Sequence, residues 1–337
     1  MNKLFYIITL LVLSGNACLK AQDIHFSQYS ATQPYINPAL TGFFDGDYRI
    51  IANGRLQSKG SDAPYQTIGG AADFSLFKNK LDDDYFGVGV VFYNDNAGFL
   101  DLVTNQMQLN LAYSLGFGDR TKHFIALGFN GGVIQKTLDA TTLIFPTIDE
   151  KDLFTGATNG FTFDMGFGLN YQFFLNKRFN AFAGYSMAHA LEPIDNVINA
   201  SQSRIYMKHS MQFAAKIKAA EMVNMIPNAL YQMQAGHRQL NAGLNAQFLV
   251  GNYEEDRVSF TAGAYGRFTN NTIAGLIFLA KMELKGFQLG LSYDANLSEY
   301  GSAPGGGANA FEISIGYIGI ASFVPSNRLK CPDMKSF

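Results

Sequence analysis

The chain has 337 residues, 47% of them hydrophobic and only 15% charged, with 30 Phe, 17 Tyr, 34 Gly and no Trp. So many aromatics beside so few charges exclude a disordered chain, and a net charge of −2 without a Lys/Arg block excludes a nucleic-acid partner. The longest near-continuous apolar run, Leu4 to Leu13, falls short of the roughly 18 to 20 residues of a membrane-spanning helix.

In chain order, the first segment reads as a secretory signal over residues 1–21. Asn2 and Lys3 form its n-region, Leu4 to Leu13 its apolar region, and Ala21 the last residue before cleavage. Cys18 admits a lipoprotein alternative, although Gly15-Asn16-Ala17 lacks the aliphatic residue usual three positions ahead of an acylated cysteine. Without Cys18 only Cys331 remains, which leaves no internal disulfide framework.

Residues 22–46 carry Phe26-Ser27-Gln28-Tyr29 and then Pro34-Tyr35-Ile36-Asn37-Pro38-Ala39-Leu40-Thr41-Gly42. Two prolines four apart with Asn and Gly predict an irregular, ordered segment. Its Tyr and Phe require burial, so the segment is expected to pack into or beneath the body of the protein.

That body alternates with period two. In Phe161 to Phe173 the odd positions are Phe, Phe, Met, Phe, Leu, Tyr and Phe, and the even ones Thr, Asp, Gly, Gly, Asn and Gln. A strand separates these sets onto two faces, whereas a helix scatters them. Met107 to Gly118, Phe287 to Asp294 and Phe311 to Tyr317 repeat the scheme. Fourteen strands are predicted, at 48–57, 67–76, 85–94, 106–117, 123–135, 161–173, 179–188, 210–218, 229–236, 239–250, 258–268, 271–284, 286–294 and 310–318, with twelve or sixteen as alternatives.

The length and composition of these strands decide which way the apolar face points. They are near the length of a tilted membrane strand, and their polar faces hold Gly, Ser, Asn and Gln rather than the Lys and Glu of a watered exterior. Aromatics near strand ends (Tyr93, Tyr113, Phe117, Tyr171, Phe173, Tyr293, Tyr317) are read as interfacial girdles. The expected fold is all-β: a transmembrane β-barrel over residues 47–319 surrounded by outer-membrane lipid, with a tail at 320–337 and both chain ends on the periplasmic side. Connections 136–160, 189–209 and 295–309 become outer loops.

The inward register collects Arg49, Arg55, Asp73, Asp164, Arg267, Lys281, Glu283 and Glu312, a balanced set. It reads either as a selectivity or ligand site, or as a neutralising network that holds a narrow lumen or plug, since buried charges must be paired. Ile51, Phe124, Phe182, Ile277 and Leu279 also point inward, which suggests a filled interior.

No chemistry-bearing motif emerges. Ser186 and His189 are close, but no nucleophile elbow surrounds Ser186. Asp82-Asp83-Asp84 lacks a calcium-loop pattern, and no His/Cys set has zinc spacing. Gly87-Val88-Gly89 and Gly166-Phe167-Gly168 open no helix, so they are strand glycines rather than phosphate loops. No cofactor and no catalytic activity are expected.

The stretch Asp23-Ile24-His25-Phe26-Ser27-Gln28-Tyr29, leading to Asn37-Pro38-Ala39-Leu40-Thr41-Gly42, resembles the opening of the PorP/SprF family of type IX secretion membrane proteins. The likeness continues through Arg55-Leu56-Gln57, through Gly87-Val88-Gly89 to Asn94-Asp95-Asn96-Ala97-Gly98, then Ser292-Tyr293-Asp294, Phe311-Glu312-Ile313 and the tail Cys331-Pro332. The motif residues at the amino-terminal end are Phe26, Ser27, Gln28, Tyr29, Pro34, Asn37 and Pro38. The resemblance implies an outer-membrane barrel that helps a secreted, adhesin-like surface protein reach or stay on the cell surface. It implies engagement of that protein's C-terminal sorting domain and contact with periplasmic secretion machinery, in secretion or gliding. The alternative reading is a passive or solute-selective outer-membrane channel.

Overall fold

The computed structural model describes residues 23–58, 64–78, 84–97, 102–118, 122–138, 158–176, 178–195, 204–251, 258–270, 272–297 and 309–320. The predicted signal segment, the tail with Cys331 and Pro332, and residues 139–157, 196–203 and 298–308 of the three long connections lie outside these residues.

Fourteen strands succeed a short amino-terminal arm: β1 (Tyr48–Gln57), β2 (Tyr65–Leu76), β3 (Tyr85–Ala97), β4 (Leu102–Phe117), β5 (Lys122–Leu138), β6 (Thr158–Asn176), β7 (Phe179–Ala188), β8 (Lys208–Ala220), β9 (Val223–Gln234), β10 (His237–Val250), β11 (Val258–Thr269), β12 (Thr272–Leu284), β13 (Phe287–Asn296) and β14 (Ala310–Gly319). Each pairs antiparallel with its sequence neighbours, and β1 pairs with β14 to close a barrel. The arm holds one helical turn, α1 (Gln33–Ile36), and a 3-10 turn, Pro38–Leu40.

Burial across the wall is inverted relative to a soluble protein. Along β6, Phe163 is 80% exposed while Asn170 on the opposite face is 0% exposed. Leu109, Leu127, Met211, Phe278 and Ile315 are likewise exposed, and Asn110, Ser114, Gln172 and Asp73 are buried. A continuous outer belt of Phe, Leu and Ile is tolerable only against hydrocarbon, where each such side chain gains about 1.5–3 kcal/mol over water. The barrel therefore spans a membrane, with its polar rows facing inward. Among the described residues no helix is long and apolar enough to cross one.

Two sequence expectations need correction. The pattern at 219–228 predicts a long turn, but β9 already starts at Val223. Pro227 disguises the strand. It sits within the ladder opposite Leu244, while Asn224, Ile226, Asn228 and Leu230 alternate inward and are buried. Tyr93 does not join the girdle: it is 1% exposed and packs inside the lumen against Phe26 and Tyr35. Tyr113, Phe117, Tyr171 and Tyr293 do lie on the outer face.

The two mouths differ. At the near mouth, where β1 begins and β14 ends, the connections are short, and Lys285–Gly286 makes a two-residue turn with φ of 48° and 86°. At the far mouth lie the long connections between β5 and β6, β7 and β8, and β13 and β14.

Candidate functional site

The arm passes down the inside of the barrel from one mouth to the other. At the far mouth Asp23 meets His189, just beyond the end of β7, Lys208 at the start of β8 and Gln234 at the end of β9. In the middle, the Ser27 and Gln28 amides donate to the Glu312 carboxylate at 2.7 and 2.9 Å. Lower down, Asn110 Nδ2 on β4 donates to Pro34 O at 2.6 Å, and Ser186 Oγ on β7 donates to Ile36 O at 2.6 Å. At the near mouth Lys78 Nζ donates to Phe44 O and Gly46 O, and the Asp47 amide donates to Gly319 O.

The first described residue, Asp23, and the last, Ile320, thus lie at opposite mouths. The physical reason is burial. Phe26, Ile36, Leu40, Phe43 and Phe44 are each at most 9% exposed, and an arm that stayed beneath the barrel would leave them in water.

The wall is cut to receive the arm. A Cβ on Gly128 of β5 would stand 2.1 Å from Ala39 N, and one on Gly168 of β6 2.0 Å from Asn37 Oδ1. On β3, a Cβ at Gly87 would stand 2.1 Å from Thr41 O. These strand glycines are seats for backbone at close approach. Asn37 sits at the centre: its side chain accepts from Ala39 N at 3.0 Å and caps the 3-10 turn. The same side chain donates to Leu169 O and Gln212 Oε1.

The inward charges fall into separate groups. Arg49 grips Asp73 through two bonds of 2.9 and 2.8 Å, reaches Gln33 Oε1 at 3.0 Å, and lies over the Phe44 ring. The other Asp73 contact goes to the Gly42 amide at 2.8 Å, so this pair holds the lower arm. Arg55 pairs with Glu312 and, at 2.9 Å, with Asp294; Arg267 meets Asp294 at 2.7 Å. The Ser27 hydroxyl lies within this cluster, donating to Asp294 at 2.6 Å and accepting from Arg55 and Arg267. Lys281 and Glu283 pair with each other at 2.7 Å, away from the arm contacts above. Asp164 lies 2.9 Å from His189 Nδ1, whose other nitrogen is 2.7 Å from Asp23.

At the far latch, burial opposes the His189 charge, but Asp23 and Asp164 outweigh it and raise the imidazole to about 10. Burial likewise opposes the Asp23 charge, and His189 and Lys208 overcome it, holding that carboxyl well below its ordinary range. His25 goes the other way: enclosure, followed by Arg55, Arg267 and Lys208, pushes it down. His189 itself sits at φ 55°, in the left-handed region that few non-glycine residues adopt.

Sequence reasoning left His189, Lys208 and Asp294 out of the inward charge set. Asp294 was legible in principle, as the last member of the β13 polar row Gln288, Gly290, Ser292 and Asp294. Nothing in the pattern marks His189 or Lys208, which stand at the ends of a long connection. Tyr29, from the motif, hydrogen-bonds Asn228 and packs edge-on against Tyr265 at 5.9 Å.

One small cavity beside the arm, of about 30 Å³, lies between Tyr29, Gln33, Gln212, Asn245, Tyr265 and Leu279, room for a water or two. Ser186 spends its hydroxyl proton on the Ile36 carbonyl of the arm, and among the described residues no group of three or more His, Cys, Asp or Glu could hold a metal ion.

Residues 18–317 match the family model described as type IX secretion system membrane protein PorP/SprF. The chain belongs to that family. As an outer-membrane β-barrel it is also similar in fold to solved barrels. The Pseudomonas putida toluene transporter TodX aligns at 11% identity and a TM-score of 0.45, over 85% of this chain and 93% of that one. The Ralstonia pickettii toluene transporter TbuX gives 10% and 0.42, over 83% and 90%, and the monoaromatic hydrocarbon channel CymD gives 10% and 0.48, over 85% and 92%. No curated protein matches the sequence.

Proposed function

We propose that this barrel is a non-enzymatic outer-membrane component of the type IX secretion and gliding apparatus that binds a secreted, adhesin-like surface protein and supports its export or attachment. The observation that carries this reading is the arm: a barrel of a secretion family whose lumen is occupied along its length is suited to holding a partner at a mouth. The near mouth, with its short turns, faces the periplasm and its machinery. The far mouth faces outward, and the connections after β5, β7 and β13, at 139–157, 189–207 and 297–309, hold the C-terminal sorting domain of the exported protein. The remaining charge pair, Lys281–Glu283, serves only to neutralise the lumen, and the tail with Cys331 and Pro332 faces the periplasmic side.

Deleting residues 141–155 or 197–202 in cells is expected to abolish surface retention of the exported protein while leaving a folded barrel. Retention unchanged after both deletions contradicts the proposal. The channel alternative requires an open lumen, and planar-bilayer recordings separate the two: large steady currents from the intact protein favour the channel.

A further inference from the structure

Thirteen of the fourteen ladders join strands that are consecutive in sequence, and where the connection is a tight turn, as at Lys285–Gly286, the turn pins the register. The seam between β1 and β14 has no such turn. Its lipid-facing pattern does not define the register either. Ile50, Ala52, Gly54 and Leu56 face outward opposite Tyr317, Ile315, Ile313 and Phe311, and a slip of two residues leaves every apolar residue outside.

The native register is distinguished on the inside. Arg55 stands directly opposite Glu312 across the seam, and a two-residue slip would place it opposite Ala310 or Ser314 instead. The Glu312 carboxylate, 1% exposed as a residue, takes its remaining bonds from the Ser27 and Gln28 amides of the arm. Gln28 also spans the last strand: its Nε2 donates to Glu312 O at 3.0 Å and its Oε1 accepts from Ser314 Oγ at 2.7 Å. A Cβ on the neighbouring Gly290 of β13 would meet that amide at 2.4 Å, so Gln28 is wedged against the final hairpin. On the other side of the seam, Arg55 donates to Ser27 Oγ at 3.0 Å.

We infer that the Ser27-Gln28 turn of the arm is the register key of the closing seam, and that β1 and β14 are matched by docking on it. A slipped seam would strand Glu312 away from both Arg55 and the two amides, leaving a buried carboxylate unpaired, which is strongly unfavourable.

The test is disulfide trapping in a background with Cys18→Ser and Cys331→Ser. Ala52→Cys with Ile315→Cys reports the native register; Ala52→Cys with Ile313→Cys, or with Tyr317→Cys, reports the two slips. With the arm intact, the native pair is expected to cross-link at least tenfold more than either slipped pair. Gln28→Pro, which removes one amide and the bridging side chain, and separately Glu312→Gln, should bring the slipped pairs to a comparable yield. Native-only cross-linking at unchanged yield in both variants overturns the inference. Where a variant yields no heat-modifiable barrel, pre-forming the native Ala52→Cys/Ile315→Cys disulfide should restore it, and failure of that rescue also overturns the inference.

Discussion

The two mouths of the barrel are held shut by different forces. At the near mouth Leu40 and Phe43 of the arm form an apolar cluster with Tyr85, Phe124 and Phe174 of the wall, and Phe43 meets Phe182 edge-on at 6.3 Å. At the far mouth the arm is held by ion pairs, Asp23 with His189 and Lys208. Apolar burial is non-directional and indifferent to pH and salt near neutrality, whereas a partly solvated ion pair is neither. The near seal is therefore the fixed end of the arm and the far latch its adjustable end, at the mouth that carries the long connections.

The largest losses are expected from emptying the near seal or cutting the middle grip. Glu312→Ala takes from the buried Arg55 one of its two carboxylate partners and leaves the two arm amides without an acceptor, and should cost about 3–5 kcal/mol. Denaturant unfolding in detergent would read this as a lowered midpoint. Phe43→Ala should cost a comparable or slightly smaller amount, about 3–4 kcal/mol, with the loss independent of pH between 5 and 10. Gly128→Ala forces a methyl against the Ala39 backbone and is expected to cost about 1–3 kcal/mol. It should also raise bilayer conductance, because the arm rather than the wall must give way.

The far latch should show smaller effects with a pH signature. His189, raised to about 10 from 6.5, adds stability that is fully present below pH 6.5 and is lost as pH rises through about 10. Asp23, held below its ordinary 3.8, adds stability present above that value and lost as pH falls below it. The latch is thus strongest from about pH 4 to 6.5 and fades on the alkaline side. Thermal melts of the parent and of His189→Gln should differ most at pH 6 and converge near pH 10.5. A constant difference across that range would place His189 in a packing role instead. Lys208→Met leaves Asp23 its His189 partner but removes a buried cation that also bonds Ile24 O, and is expected to cost about 1–3 kcal/mol with only a weak dependence on salt.

The wall was legible in the sequence because period-two alternation is a local property. Phe161 to Phe173 sorts its side chains between lipid and lumen without reference to any other strand, and β6 is where that pattern puts it. Alternation fails where one row mixes with turn residues, as at Asn224, Pro227 and Asn228, which read as a loop and form a strand. Tyr93 misleads because an aromatic near a strand end suits either a girdle or a lumen that has something to pack against. The arm's need for burial was legible from Phe26, Tyr29 and its prolines. Its direction of travel was not, because that depends on Asp23 finding His189, a contact between residues far apart in the chain that no local pattern encodes.

The arm is threaded, with Asp23 at the far mouth and the end of β14 at the near one. Sidedness measures this directly. An epitope inserted immediately before Asp23 should be bound by antibody under the same conditions as a Leu191→Cys label on the far side, and not under those that expose Glu221→Cys at the near-mouth turn. Binding that tracks Glu221→Cys, or no binding from either side of a folded barrel, would mean that the arm does not traverse the lumen.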